Sequence, residues 1–221
     1  CEIETPLLPL LKAADASLLI KYITRMVAFE ANMTATFMPK PLYSEAGSGM
    51  HFHQHLWKGQ TNLFYDPNGY GTISEMGRYY IGGLLYHGGA VMAFTNPRTN
   101  SYRRLVPGYE APISAIYSLA NRSAAIRIPK YANQPHSARF EFRPPDATAN
   151  PYLAMAAQLL AGIDGIINKM DPTELGFGPI DEDIFSWSAE KRAQIKALPT
   201  SLNEAVAALE ADKAFLLTGE V

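Results

Sequence analysis

Three of the chain's five histidines fall within nine residues, GSGMHFHQH at 47–55, at alternate positions: His51, His53 and His55. In an extended strand, successive side chains point to opposite faces, so the three imidazoles share one face while Phe52, Gln54 and Leu56 share the other. Such a run covers about 13 Å, too far for the outer two rings to meet at one ion with bonds of about 2.1 Å. Other groups must complete any metal site on this face. The segment RFEFR, 139–143, repeats the alternation, with Arg139, Glu141 and Arg143 on one face and Phe140 and Phe142 on the other. A carboxylate between two guanidiniums stays ionised and oriented. It serves either as the centre of an ion-pair ladder or as a metal ligand flanked by phosphate clamps.

The distribution of charge favours an anionic substrate. Seven of the ten arginines lie between 98 and 143: Arg98, Arg103, Arg104, Arg122, Arg127, Arg139 and Arg143. With Lys130 against Glu110 and Glu141, this window has eight basic residues and two acidic ones, net +6, while the whole chain is -2 and the remainder therefore -8. Any one arginine taken alone reads better as a solvated surface charge. Together, almost without lysine, they suit bidentate recognition of phosphate or carboxylate. NPRTNSYRRLVPGYEAP, 96–112, reads as a proline-bounded loop with three arginines and Glu110, the composition of a mobile flap over such a substrate. Histidine with carboxylates suits magnesium or manganese when phosphate oxygens complete the shell. These residue types point to metal-dependent phosphoryl transfer and leave the substrate open.

The elements that must position these groups are legible in outline. Periodicity predicts a helix over about 15–29, capped by Asp15, with Leu18, Leu19, Tyr22, Ile23, Met26 and Val27 as an apolar stripe. A second helix is predicted over 73–94, with Thr72 and Glu75 as a capping box, and a third from Asn150 and Pro151 to Met170. Ser201 and Glu204 open a short amphipathic helix to about Ala214. Extended segments are predicted at 51–57, 125–129 and 139–143, so the class is α+β.

Composition limits the function classes. The chain has 221 residues, 48% of them hydrophobic, as expected of a globular chain with a sizeable core. A pI near 6.2 argues against a general nucleic-acid binder. The single Cys1 allows no internal disulfide and fits a reducing compartment. The uncharged run 79–97 approaches the length of a membrane span, but its four glycines, His87 and Asn96 read as buried helix. No signal segment opens the chain, and a first residue other than Met leaves room for the natural protein to extend at both ends.

The motifs TFMPKP, GSGMHFH, NPRTNSYRRLVPGYEAP, NRSAAIRIP, FEFRPPDATANPYL and AGIDGI, in this order over roughly 30–170, resemble the catalytic domain of bacterial type I glutamine synthetase. The resemblance implies a curved antiparallel sheet with helices packed on its outer face. Residues 1–221 would be a catalytic domain truncated at both ends, lacking an amino-terminal β-grasp domain. It implies a cytoplasmic ligase that joins glutamate and ammonia with ATP through γ-glutamyl phosphate, uses Mg2+ or Mn2+, and assembles as a dodecamer of two hexameric rings. By position it implies Glu2 as a ligand of one metal and His51 and Glu141 as ligands of a second. His53, Arg122, Arg127 and Arg139 would lie around the ATP phosphates. Gly47, Arg104 and Arg143 would hold glutamate, and Glu110 would close the site and attract ammonium. His55 has no role in the resemblance and is expected to be structural. Ala46 stands where much of the family has asparagine, and Phe185 where some relatives have an adenylylated tyrosine. The expected fragment is inactive alone, since the family's remaining metal ligands and a neighbouring subunit's aspartate lie outside it. A ligase joining glutamate to another amine would share the metal and phosphate residues and differ in the amine pocket; a non-catalytic relative is the other alternative, against which the retained Glu2, His51, Arg104, Glu110 and Glu141 argue.

Overall fold

The computed structural model describes residues 2–106, 112–182, 184 and 187–218. Its centre is a four-stranded sheet of Phe52–Gln54 (β1), Phe140–Phe142 (β6), Ala124–Ile128 (β5) and Ser114–Leu119 (β4), in that spatial order. β1 pairs antiparallel with β6 and β6 with β5, whereas β4 and β5 run parallel, with Ser114 opposite Ala124 and Leu119 opposite Ile128. The sheet is thus mixed at one edge rather than antiparallel throughout, and the α+β class stands. A short hairpin, Trp57–Lys58 (β2) and Thr61–Asn62 (β3), follows β1; it turns through Gly59 at φ +59°, a conformation that suits glycine.

The alternation read in RFEFR is realised. Phe140 and Phe142 are fully buried on one face with Ile126, and they pack with Phe64, Tyr80 and Leu84 in the main core. Behind that face lie Glu75–Tyr86 (α2), Gly88–Thr95 (α3) and Pro151–Ile167 (α5). α2 and α5 approach so closely that a Cβ on Gly83 would stand 2.7 Å from Gly165 Cα. α5 begins as expected: Asn150 accepts from the Tyr152 and Leu153 amides, and Pro151 occupies the first turn. No helix among the described residues is long and apolar enough to cross a membrane.

Four expectations are corrected. The first helix is Leu10–Glu30 (α1), so Asp15 lies inside it and accepts a hydrogen bond from Tyr152 Oη (2.5 Å) instead of capping. Its Leu18–Val27 stripe is exposed, and Ala14 is its one described buried residue, so here periodicity marks an apolar face without a buried partner. The helix predicted over 73–94 is two helices broken at His87, where Gly88 and Gly89 follow. The His87 ring is held between Asp212 (Nδ1, 2.7 Å) and Asp164 (Nε2, 3.0 Å). Ser74 rather than Thr72 caps α2, because Thr72 sits at φ +60° and cannot lead into a helix. Finally, the predicted loop 96–112 contains the helix Thr99–Arg104 (α4), and β4 follows it.

The remaining elements are the short helix Ala189–Arg192 (α6) and Leu202–Ala211 (α7). α7 is capped by Ser201, as expected, while the Glu204 carboxylate reaches back to the Thr200 amide (2.7 Å).

Candidate active site

The polar face of the sheet carries a row of facing residues, His53 on β1, Glu141 on β6 and Arg127 on β5, in direct register. Because side chains alternate along each strand, burying Phe140 and Phe142 on the core side obliges Glu141 to point to the opposite face. Its carboxylate is nearly enclosed, with the side chain 3% exposed. Oε1 accepts from His51 Nδ1 (2.8 Å) and Arg143 Nη1 (2.7 Å), and Oε2 accepts from Arg127 Nη1 (2.9 Å). Burial by itself would raise the pKa of this carboxyl. The His51 hydrogen bond and the guanidinium charges of Arg143 and Arg127 outweigh burial and hold it well below the usual carboxylate range.

Burial favours the neutral form of both His51 and His53. Burial lowers His51, opposed by its bond to Glu141 and reinforced by Arg143 and Arg104. A neutral ring that donates from Nδ1 keeps its lone pair on Nε2, which lies 3.5 Å from Arg104 Nη2. Burial likewise pushes His53 down to about 4, with Arg139 opposing the attraction of Glu141. Arg139 Nε donates to His53 Nδ1 (3.2 Å), which fixes the proton of that ring on Nε2. Arg139 also lies over the exposed ring of Tyr131, 5.3 Å from its centroid. Arg127 Nε is buried without an acceptor among the described residues. A buried guanidinium N–H without a partner is a costly arrangement that an anionic oxygen would relieve.

Arg104 comes from α4 and is 5% exposed. Its Nη1 donates to the carbonyls of Pro144 (2.7 Å) and Pro145 (3.2 Å), and its Nη2 to that of Arg143 (3.2 Å). It thereby locks the segment after β6, and only the Nη2 edge faces His51. The Gly-Ser-Gly loop is laid over it. A Cβ on Gly47 would lie 2.6 Å from the Pro39 carbonyl and 2.9 Å from Arg104 Cγ. One on Gly49 would collide with Arg104 Nη2 and lie 2.9 Å from His51 Nε2. Glycine is therefore required for the loop to pass so close, and Gly49 is a site residue that motif reading alone missed, although its spacing was visible.

The structure thus gathers His51, His53, Arg104, Arg127, Arg139, Glu141 and Arg143, with Gly47 behind them. Arg143 Nε also donates to the Arg122 carbonyl (3.2 Å), which ties the 120–123 turn to the cluster, while the Arg122 side chain is exposed. Glu2 is exposed and is not drawn into the cluster. Glu110 and Phe185 lie outside the described residues. His55 packs edge-on against Trp57, with ring centroids 5.4 Å apart, consistent with a structural role.

A divalent ion asks for a neutral imidazole and an ionised carboxylate, and His51 and Glu141 stand in those states 2.8 Å apart. Among the described residues no third His, Cys, Asp or Glu joins them. Magnesium is commonly bound by one or two carboxylates, with phosphate oxygens and waters completing its octahedron. The pair therefore fits as part of such a shell.

Comparison with known proteins agrees with this chemistry. A glutamine synthetase of Frankia alni is 55% identical over 212 residues, covering 96% of this chain and 44% of the relative. One of Streptomyces coelicolor is 54% identical over the same length and shares. The chain thus spans a little under half the length of these relatives. A Plasmodium falciparum glutamine synthetase solved by cryo-EM matches with a TM-score of 0.79 at 34% identity, over 94% of this chain and 47% of that one. The family profile described as glutamine synthetase, catalytic domain, matches residues 1–218, and the chain belongs to that family.

Proposed function

We propose that this chain is the catalytic-domain portion of an ATP-dependent glutamate:ammonia ligase. The observation that carries the reading is the Glu141 centre: an ionised carboxylate meets His51 and two arginines, Arg127 and Arg143, on one sheet face, and the buried Nε–H of Arg127 lacks an acceptor among the described residues.

In the first half-reaction a γ-carboxylate oxygen of glutamate attacks the γ-phosphorus of ATP, the bond to the bridging oxygen breaks, and ADP leaves. In the second, the nitrogen of ammonia attacks the acyl carbon, phosphate leaves with its bonding electrons, and a proton is lost to give the amide. Arg127 and Arg139 hold phosphate oxygens, and Arg122 joins them from the 120–123 turn. Arg143 and the Nη2 edge of Arg104 that faces His51 orient the glutamate, with Gly47 lining its path. Glu110 closes the site and draws in ammonium. His51 and Glu141 would hold a divalent ion, Mg2+ or Mn2+, which neutralises charge on the transferring phosphoryl group. His53, uncharged and opposite Glu141 on the same sheet face, contacts the nucleotide phosphates through its Nε2–H. Glu2 would bind a second ion. Positioning and electrostatics supply most of the acceleration in such transfers. The working protein is a cytoplasmic homo-oligomer, expected as two stacked hexameric rings.

Calorimetric titration of the chain with ATP, with and without Mn2+, tests the reading. Binding that requires the ion and is lost in Glu141→Gln is expected. Equal binding without metal and in the variant would refute it.

A further inference from the structure

A second concentration of positive charge lies away from Glu141, in a hollow of about 680 Å³ between α1, residues 35–39, residues 98–100 and residues 147–148. Lys21, Arg25 and Arg98 line it, and none of its described lining residues is acidic. None of the three makes an ion pair among the described residues. Lys21 and Arg25 are like charges one turn apart on α1, an arrangement that costs helix stability when nothing neutralises it. Lys21 spends one N–H on the Ala147 carbonyl (3.1 Å), and two remain. Burial and then Arg25 lower its pKa, opposed by Asp146. That carboxylate is fully buried and already occupied by the Thr148 amide (2.9 Å) and hydroxyl (2.6 Å), so it cannot swing out to pair with the three cations.

The other walls are mixed, with Thr36, Thr99, Asn100 and Thr148 beside apolar and aromatic side chains. Tyr22, Phe37 and Met38 line the hollow, and Arg25 lies over the Phe37 ring at 5.3 Å, which holds the ring and guanidinium together. The volume is in the range of small-molecule sites and exceeds what one inorganic anion would fill.

We propose that this hollow is a binding site for a small organic polyanion, whose carboxylate or phosphate groups are held by Lys21, Arg25 and Arg98 and whose body rests on Tyr22, Phe37 and Met38. None of these residues belongs to the Glu141 centre, so the inference stands whether or not the ligase reading holds. Its walls adjoin that centre nonetheless. Asn100 exchanges two hydrogen bonds with the Lys40 backbone (2.8 and 3.1 Å), and the neighbouring Pro39 carbonyl accepts from Ser48 (2.8 Å), beside Gly47.

The test is a titration of the ¹⁵N-labelled chain with citrate and, separately, with fructose 1,6-bisphosphate, followed by amide shifts. Saturable shifts over residues 21–25, 36–38, 98–100 and 148 are expected with at least one of them, and the tighter ligand identifies the anionic group as carboxylate or phosphate. Arg25→Gln/Arg98→Gln removes two exposed guanidiniums and should weaken binding about tenfold or more. Arg98→Gln alone serves if the double variant does not fold. Absence of saturable shifts at millimolar ligand, shifts confined to 51–55 and 122–143, or affinity unchanged in the variants would overturn the proposal.

Discussion

Glu141→Gln keeps the size of the side chain and removes its charge, and the geometry around it sets the consequence. Three donors converge on the carboxylate: His51 Nδ1 at 2.8 Å, Arg143 Nη1 at 2.7 Å and Arg127 Nη1 at 2.9 Å. An amide offers one acceptor oxygen and one NH2, so at least one donor must face another donor. Arg143, 6% exposed at its side chain, and Arg127, 19% exposed, then lose the carboxylate charge they share. Removing one partner of a buried ion pair costs about 3–5 kcal/mol, and the partial exposure of Arg127 places this case near ~3 kcal/mol. For a chain of this size that corresponds to a fall in Tm of about 6–12 °C. Urea unfolding followed by circular dichroism at pH 7 measures it. The pH dependence supplies a second check. The folded carboxyl titrates below its unfolded value of about 4.3, so its contribution is complete above that pH and is lost as the pH falls toward its folded value. The gap between wild type and variant should therefore shrink in acid. A gap under about 1 kcal/mol at pH 7, or one that widens in acid, would refute the argument that ionised Glu141 organises the cluster.

Two further outcomes follow from the same site. His53 takes up a proton only near pH 4 when folded, against about 6.5 unfolded, so the unfolded chain binds more protons between those values; stability relative to His53→Gln should fall as the pH drops from 6.5 to 4, and a ring resonance that titrates above pH 6 would contradict it. Gly49→Ala forces a methyl onto Arg104, whose guanidinium is pinned by three carbonyls, and should cost about 1–3 kcal/mol in urea unfolding; unchanged stability would show that the loop lifts away freely.

Much of the cluster was legible in period-two patterns. HFHQ and RFEFR each alternate ring or charge with an apolar or amide partner, and a half-buried strand translates that alternation directly into faces. The Asn150–Pro151 start of α5 was equally visible, since its capping chemistry is local. Where neighbours decide, the patterns misled. The apolar stripe of α1 looked like a core face and is exposed, because periodicity reports that a face is apolar and not what lies against it. The break at His87 depends on Asp164 and Asp212, 77 and 125 residues away in sequence. α4 hid inside a segment that its prolines and arginines marked as loop.

By itself, then, the sequence determined which residues face which way along each strand and which motifs tie the chain to its family, because both are written in local spacing. The tertiary structure alone decided which strands lie side by side. By pairing β1 and β5 on either side of β6, it set His53 and Arg127 opposite Glu141 and brought His51 and Arg143 onto the same carboxylate. It also turned Arg104 inward to the carbonyls of 143–145. The physical reason is that a buried charge is tolerated only where its partners converge in space, and those partners come from segments that no local pattern connects.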